Sequence, residues 1–323
     1  MANYTLNFSD NMTLKLLTEQ IDKMPYEDSE LFIEQATKLS NELPHNIKNL
    51  LSIFLEKGSK TGFLLLKNII IDEDIPDTPQ DNTFFVGEKT KLSKLIAILN
   101  QYLGDMISYE GECYGRLFQD MVPKKTLSDT QTSLGSKVEL EIHTEQAFSK
   151  LRPDILTLGC LKGDKNAITY VLPVNIIIEQ LDDYKKNLLR QPLWKIGVDL
   201  SFKINCKEFI EGNIRGPIPI IYGHKEDPFL VFDQDLMIGI NEEAETLKNE
   251  IIEIYYKYRY EHILNSGEII FIDNRRAVHG RSSFKPNFNK DDRFIIRSFV
   301  TLDLNSSIYA RNINKRMIEA KYS

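Results

Sequence analysis

GEIIFIDNRRAVHGRSSFKPNFNKDDRFIIRSFVTLDL, residues 267–304, contains two apolar runs, EIIFID and RFIIRSFV, separated by a polar stretch with a single histidine, His279. Each run has strand length and is rich in Ile, Phe and Val, so the spacing predicts two strands and no helix. Arg293 and Arg297 lie 14 and 18 residues beyond His279. Four apart, they share one face of a strand, roughly 13 Å along it at about 3.3 Å per residue. A guanidinium offers a planar fork that takes a carboxylate bidentately and stays charged at any working pH, so the pair can hold two different carboxylates. The alternative is two solvated surface arginines, because Phe294 and Ile295 do not decide which face is buried.

Working outward, the same texture begins near residue 114. ILTLGCL (155–161), AITYVLP (167–173), PIPIIYG (217–223) and FLVFDQD (229–235) are short apolar runs bounded by Gly, Asp, Asn and Pro. KGDKN, between the first two, has the composition of a hairpin turn. GFLLLKNIII (62–71) reads as a buried strand. Helices are expected over 90–109 and from about Asn241 to His262, where Asn241 is a cap and Leu247, Ile251, Ile254, Tyr255 and Tyr258 form an apolar stripe. Residues 28–56 suit two helices broken near Pro44. Strands mostly not alternating with helices predict a mainly β fold with α additions, an antiparallel double-sheet barrel. With no repeat or linker, one domain is expected over 1–323. Residues 1–110 would be mostly helical and packed on the barrel, 111–305 would form the barrel with inserted helices, and 306–323 would be a tail.

The composition is that of a globular protein: 323 residues, 42% hydrophobic, 40 basic against 47 acidic side chains and a net charge of −7. An acidic chain argues against nucleic acid or an anionic membrane as main partner. No basic leader or apolar run of about 18 residues is present, so a cytoplasmic protein is expected. Cys113, Cys160 and Cys206 lack metal or redox spacing and read as reduced packing residues. A homo-oligomer is compatible with the sequence, which does not fix the assembly.

The chemistry starts at VELEIHTEQAF (138–148). His143 and Glu145, two apart, leave the same face of a strand and can converge on one ion. His279 is the candidate third ligand. Two imidazoles and one carboxylate match the facial triad of a non-haem iron(II) oxygenase, with zinc hydrolysis as the rival. Glu139 and Glu141 share the parity of His143, so the sequence leaves open which carboxylate reaches the metal. In FDQDLM (232–237), Asp233 and Asp235 share a face if the strand continues, and would select a cationic substrate end; a turn or strand end with exposed acids is the alternative. His45 and His262 fall in expected helices and His224 in a loop. Nucleotide-binding, serine-hydrolase and zincin motifs are absent.

With these residues in place, the chain resembles the clavaminate-synthase-like iron(II)/2-oxoglutarate-dependent oxygenases over roughly residues 60–305. It is most similar there to bacterial hydroxylases of free L-lysine. The likeness is carried by residues 118–164, by FDQDLM and by residues 267–299. It implies a double-stranded β-helix, the jelly-roll or cupin-like core, with flanking helices. It also implies iron(II) held by His143, Glu145 and His279, with 2-oxoglutarate and O2 as co-substrates. Arg293 would bind the distal carboxylate of 2-oxoglutarate with help from the Thr169 hydroxyl. Arg297 would take the α-carboxylate of lysine, Asp233 and Asp235 its side-chain ammonium, and Glu145 its α-amino group. Gln131 is a further substrate contact. Retention of Glu145 disfavours the halogenase variant of this chemistry.

The expected activity is therefore hydroxylation of free L-lysine. C4 is preferred over C3 on overall resemblance and on no identified residue. The same chemistry on arginine or ornithine, and a metal-binding barrel without turnover, are the alternatives. Residues 72–89, acidic and Pro-containing, form either a covering loop or an idle connection.

Overall fold

The computed structural model describes residues 3–56, 61–70, 74–206, 208–311 and 315–323. The chain opens with β1 (Asn3–Thr5), α1 (Phe8–Glu19), α2 (Ser29–Ser40), α3 (His45–Glu56), β2 (Phe63–Lys67), α4 (Lys91–Leu103), β3 (Asp105–Tyr109) and β4 (Gln119–Met121). Its middle holds β5 (Leu140–His143), β6 (Ile155–Lys162), β7 (Ile168–Pro173), α5 (Val174–Glu179), α6 (Asp183–Leu188), β8 (Trp194–Gly197), α7 (Leu200–Asn205), β9 (Ile214–Ile218), β10 (Ile221–Gly223), β11 (Pro228–Leu230) and β12 (Met237–Gly239). It closes with α8 (Glu242–Tyr258), β13 (Tyr260–Ile263), β14 (Glu268–Asp273), β15 (Ala277–Arg281), β16 (Phe294–Thr301) and β17 (Met317–Ile318). Helix starts follow side-chain caps: Asn7 and Asp10 form a reciprocal box on α1, Thr90 accepts from Ser93 N on α4, and Asn241 accepts from Ala244 N on α8.

A large mixed sheet runs β1-β2-β14-β6-β16-β3-β17, with β4 also paired to β16, and a four-stranded antiparallel sheet runs β13-β7-β15-β5. Smaller sheets join β12-β8-β9 and β10-β11. Side chains of the large sheet divide between two cores. Ile270, Ile272, Ile295 and Phe299 belong to the core shared with the four-stranded sheet. Ile269, Phe271, Phe294, Ile296 and Val300 belong to the core beneath α1–α4. Coverage on both faces is why these strands read as unbroken apolar runs. It also fixes the arginine face, since Arg297 alternates with Ile296 and shares the side of Ile295 and Phe299.

Four expectations need correction. The 90–109 helix stops at Leu103: Gly104 follows, packed so closely that a Cβ there would lie 2.6 Å from Thr301 O, and the next five residues form β3 against β16. The 155–161 and 167–173 runs are both strands but not a hairpin. β6 pairs with β14 and β16, and β7 with β13 and β15, so the turn at Asp164–Ala167 is a corner between sheets. A local turn signal specifies chain reversal, not which sheet receives the strand. The α8 helix ends at Tyr258 because Arg259 is extended, and His262 therefore lies in β13, opposite Thr169. Finally, Asp233 ends in an isolated bridge to His143 and the chain turns over 234–236, so Asp233 and Asp235 do not share a strand face.

The expected strand in 62–71 covers Phe63–Lys67, and position 71 lies outside the described residues, as do 72 and 73 of the expected covering segment. The rest of that segment is tied down, with Val86 N and Gly87 N donating to Asp120 and Thr78 Oγ1 to the Asp292 carbonyl. Cys113, Cys160 and Cys206 are unpaired thiols.

Candidate active site

His279 and His143 face each other as register partners of antiparallel β15 and β5, with ring centroids 4.4 Å apart. Glu145 follows β5 through Thr144, whose N–H donates to Phe232 O at 2.8 Å. Glu145 N donates to Asn274 Oδ1 at 2.7 Å, and Asn274 Nδ2 donates to Glu145 O at 3.1 Å and Pro153 O at 2.8 Å. The loop between β14 and β15 thus clamps the Glu145 backbone on both sides. The result is one ligand atom each from His143, Glu145 and His279, all within 4.8 Å of one another. Glu139 instead pairs with Arg259 at 3.1 Å, and Glu141 lines the cavity outside this cluster. Among the three carboxylates of matching parity, Glu145 is the one that converges with the imidazoles.

The donor set suits a divalent iron. His143 Nδ1 sits 2.8 Å from the Glu141 carbonyl, which only accepts; Nδ1 therefore carries the proton, and Nε2 keeps a free lone pair. Burial and the neighbouring His279 both pull the His143 pKa down, keeping it a neutral ligand. Burial pushes Glu145 up, but Arg297 and the two imidazoles outweigh it and hold the carboxyl well below the usual range. Two imidazole nitrogens and one carboxylate oxygen, with space on the remaining sides, match the iron(II) facial triad.

Two cavities meet at this cluster, both lined by Glu145 and Arg297. The larger, about 400 Å³, carries Glu112, Glu141, Asp199, Asp233 and Asp235 on its walls. Burial raises Asp233 to about 6 despite the pull of His143, and Leu236 N donates to its Oδ1 at 2.7 Å. Asp235 is exposed at the rim. The smaller cavity, about 50 Å³, holds Thr169, Arg281 and Arg293 beside His279. Acid lies on one side of the triad and base on the other.

Arg297 is fully engaged. Its Nη1 lies 3.3 Å from Glu145 Oε1, its Nη2 pairs with Glu112, and its Nε donates to Gln119 Oε1 at 2.8 Å. Arg293, 7% exposed, makes no hydrogen bond or ion pair among the described residues, and the buried Thr169 Oγ1 also has no partner. Gln131 lines the larger cavity, but its amide already donates to Glu139 O and accepts from Glu141 N. Sequence reasoning missed Glu112, Gln119, Asp199 and Asn274. Each sits outside the strand periodicity, in a loop or short segment that only the tertiary fold brings to the site.

Comparison with known proteins agrees with this geometry. The family model for the taurine catabolism dioxygenases (TauD, TfdA family) matches residues 219–298. An L-lysine 3-hydroxylase of Catenulispora acidiphila is 42% identical over 322 residues, covering 100% of this chain and 90% of that protein. Clavaminate synthase 2 of Streptomyces clavuligerus is 26% identical over 91% of each. An L-lysine 4-hydroxylase of Flavobacterium johnsoniae is 27% identical over 75% of this chain and 67% of that protein. Among solved structures, asparagine oxygenase in complex with Fe(II), 3-hydroxyasparagine and succinate superposes with a TM-score of 0.90 at 27% identity, covering 99% of both chains.

Proposed function

Because the chain belongs to the clavaminate-synthase-like iron(II)/2-oxoglutarate-dependent oxygenases, we propose that it hydroxylates free L-lysine at C3. The observation that carries the substrate class is the split of charge across the triad, with an acidic cavity on one side and a buried, unpaired Arg293 on the other. Position C3 replaces the expected C4. The 3-hydroxylase matches the whole chain at 42% identity, whereas the 4-hydroxylase matches three quarters of it at 27%. Membership of this enzyme family also sets aside the barrel without turnover.

His143, Glu145 and His279 hold the iron in this reading. Iron(II) bound there supplies, with 2-oxoglutarate and O2, the conversion of an unactivated C–H bond to an alcohol, releasing succinate and CO2. Everything else is positioning. Arg293 and the Thr169 hydroxyl take the distal carboxylate of 2-oxoglutarate. Arg297 takes the α-carboxylate of lysine by exchanging its present Nη contacts with Glu145 and Glu112 for a bidentate pair. Glu112 and Glu145, both beside Arg297, then offer the α-ammonium its counter-charge, while Asp233 and Asp235 meet the side-chain ammonium. A zwitterion pinned at both ends presents its middle carbons to the metal, which supplies the orientation on which regioselectivity depends. Gln131 holds the approach to β5 and contacts substrate only by giving up its backbone bonds.

We also read the two main sheets as a double-stranded β-helix in a single domain over 1–323. Parallel pairing of β17 to β3 ties Met317–Ile318 to the barrel, and the 0.90 TM-score supports the architecture. Succinate release over a panel of amino acids tests the substrate: L-lysine should dominate, and an equal response to arginine or ornithine would reject the assignment. Product NMR should place the new hydroxyl on C3.

A further inference from the structure

The small cavity beside His279 holds a second buried cation besides Arg293. Arg281 lies two residues past His279 on β15 and is 5% exposed. Its Nε donates to Ser282 O at 3.1 Å and its Nη1 to Ser133 O at 3.2 Å, while Nη2 is buried without any partner. Its guanidinium and that of Arg293 flank the same Phe284 ring, 5.0 and 5.9 Å from its centroid. Among the described residues no carboxylate pairs with either. Glu145, the acid lining this cavity, is committed to Arg297 and the imidazoles. Carbonyl oxygens satisfy donors but cancel no charge, so two positive groups share a pocket of about 50 Å³ with no carboxylate paired to either, Asp164 acting on Arg293 only through space.

That pocket favours an anion, and a carboxylate bound there would offset one positive charge and accept from donors of both guanidinium groups. Resting on the reading that 2-oxoglutarate is the co-substrate, we propose that Arg281 is a second cationic ligand of its distal carboxylate, acting with Arg293 and Thr169. The orphaned Arg281 Nη2 and Thr169 Oγ1 are the donors that carboxylate would satisfy.

The test is anaerobic titration of 2-oxoglutarate into the Fe(II)-loaded protein, read by the weak visible absorption band of the complex, together with melting temperatures. Arg281→Gln should weaken 2-oxoglutarate binding about 10-fold or more, the scale of a charge-assisted hydrogen bond, and Arg281→Lys should fall between. Fe(II) affinity should stay within about twofold, and the melting temperature without ligand should hold or rise as repulsion is relieved. The non-reactive analogue N-oxalylglycine should then stabilise Arg281→Gln less than the parent. Unchanged 2-oxoglutarate affinity, or a parallel fall of Fe(II) affinity and melting temperature, would overturn the proposal. Arg293→Gln is the control for the underlying reading: if it too binds 2-oxoglutarate normally, the co-substrate assignment itself fails, whereas a loss confined to Arg293→Gln rejects Arg281 alone.

Discussion

His143 and His279 are direct register partners across β5 and β15, so two imidazoles from chain positions 136 residues apart are held 4.4 Å centroid to centroid by backbone pairing. The ladder, and no loop, sets their spacing. His279→Gln should therefore keep the strand pairing and lose the metal. Activity should drop more than about 100-fold, beyond what losing an outer partner of a ligand costs, with unchanged circular dichroism. A variant that still gives the Fe(II)/2-oxoglutarate band would remove His279 from the ligand set.

Asn274 acts one step further out, through the peptide of Glu145. Asn274→Ala leaves Glu145 N and two carbonyls without their partner, in a site where Asn274 itself is fully buried. Fe(II) affinity should fall about 10–100-fold, with a stability loss of about 1–3 kcal/mol for the unsatisfied groups. Isothermal titration and chemical denaturation read the two separately; stability loss with intact Fe(II) affinity would make Asn274 a packing residue.

Asp233 and Asp235 should differ in weight. Asp233 is half-buried against His143 and Leu236 N, whereas Asp235 is exposed at the rim, and an ion pair is worth more where water is excluded. Asp233→Asn should raise the lysine KM by about 30-fold, corresponding to roughly 2 kcal/mol, with a much smaller rise for Asp235→Asn. The KM for 2-oxoglutarate should move in neither variant. Equal effects would mean that the ammonium sits at the mouth.

Glu112 gives a pH signature in metal-free protein. One guanidinium, Arg297, serves two carboxylates, Glu112 and the buried Glu145, and Glu145 has the two imidazoles as well. Burial therefore prevails at Glu112, whose pKa rises to about 7. With the folded value above the unfolded one, the native state binds more protons between about 4.5 and 7, so this contribution is full below 4.5 and is lost as pH rises through 7. Measured with a chelator present, the melting temperature of the parent should fall relative to Glu112→Gln across that window. Parallel curves would contradict the shift.

How much of this was legible in the sequence follows from where each residue stands. His143, Glu145 and His279 lie on or beside regular strands, where period-two parity and histidine scarcity pick them out. Arg297 was legible as a carboxylate holder but not its engagement by Glu112 and Gln119, because those come from a loop and a three-residue strand. The Asp233 pair was found by composition and misplaced by geometry, since a turn can interrupt a strand without Gly or Pro. The β6–β7 hairpin failed for a related reason: turn chemistry is local, while partner choice depends on the whole barrel. Arg281 passed unnoticed beside His279 because an orphaned donor exists only once the surrounding cavity is formed.

Gly280 stands between His279 and Arg281 on β15. A Cβ at this position would lie 2.7 Å from the Leu140 carbonyl and 2.7 Å from the Tyr255 hydroxyl. The first is backbone of β5 itself, at the point where the β15–β5 register shifts, so it cannot yield without moving the strand that carries His143. Gly280→Ala should thus separate the two histidine-bearing strands, costing about 1–3 kcal/mol from overpacking and weakening Fe(II) binding more than 2-oxoglutarate-independent properties such as far-ultraviolet circular dichroism. Truncating Tyr255 to Phe in the same background relieves only the second contact. If that double variant recovers full Fe(II) affinity, the close approach of β15 to β5 is not what sets the metal site; persistence of the defect assigns it to the backbone contact with Leu140.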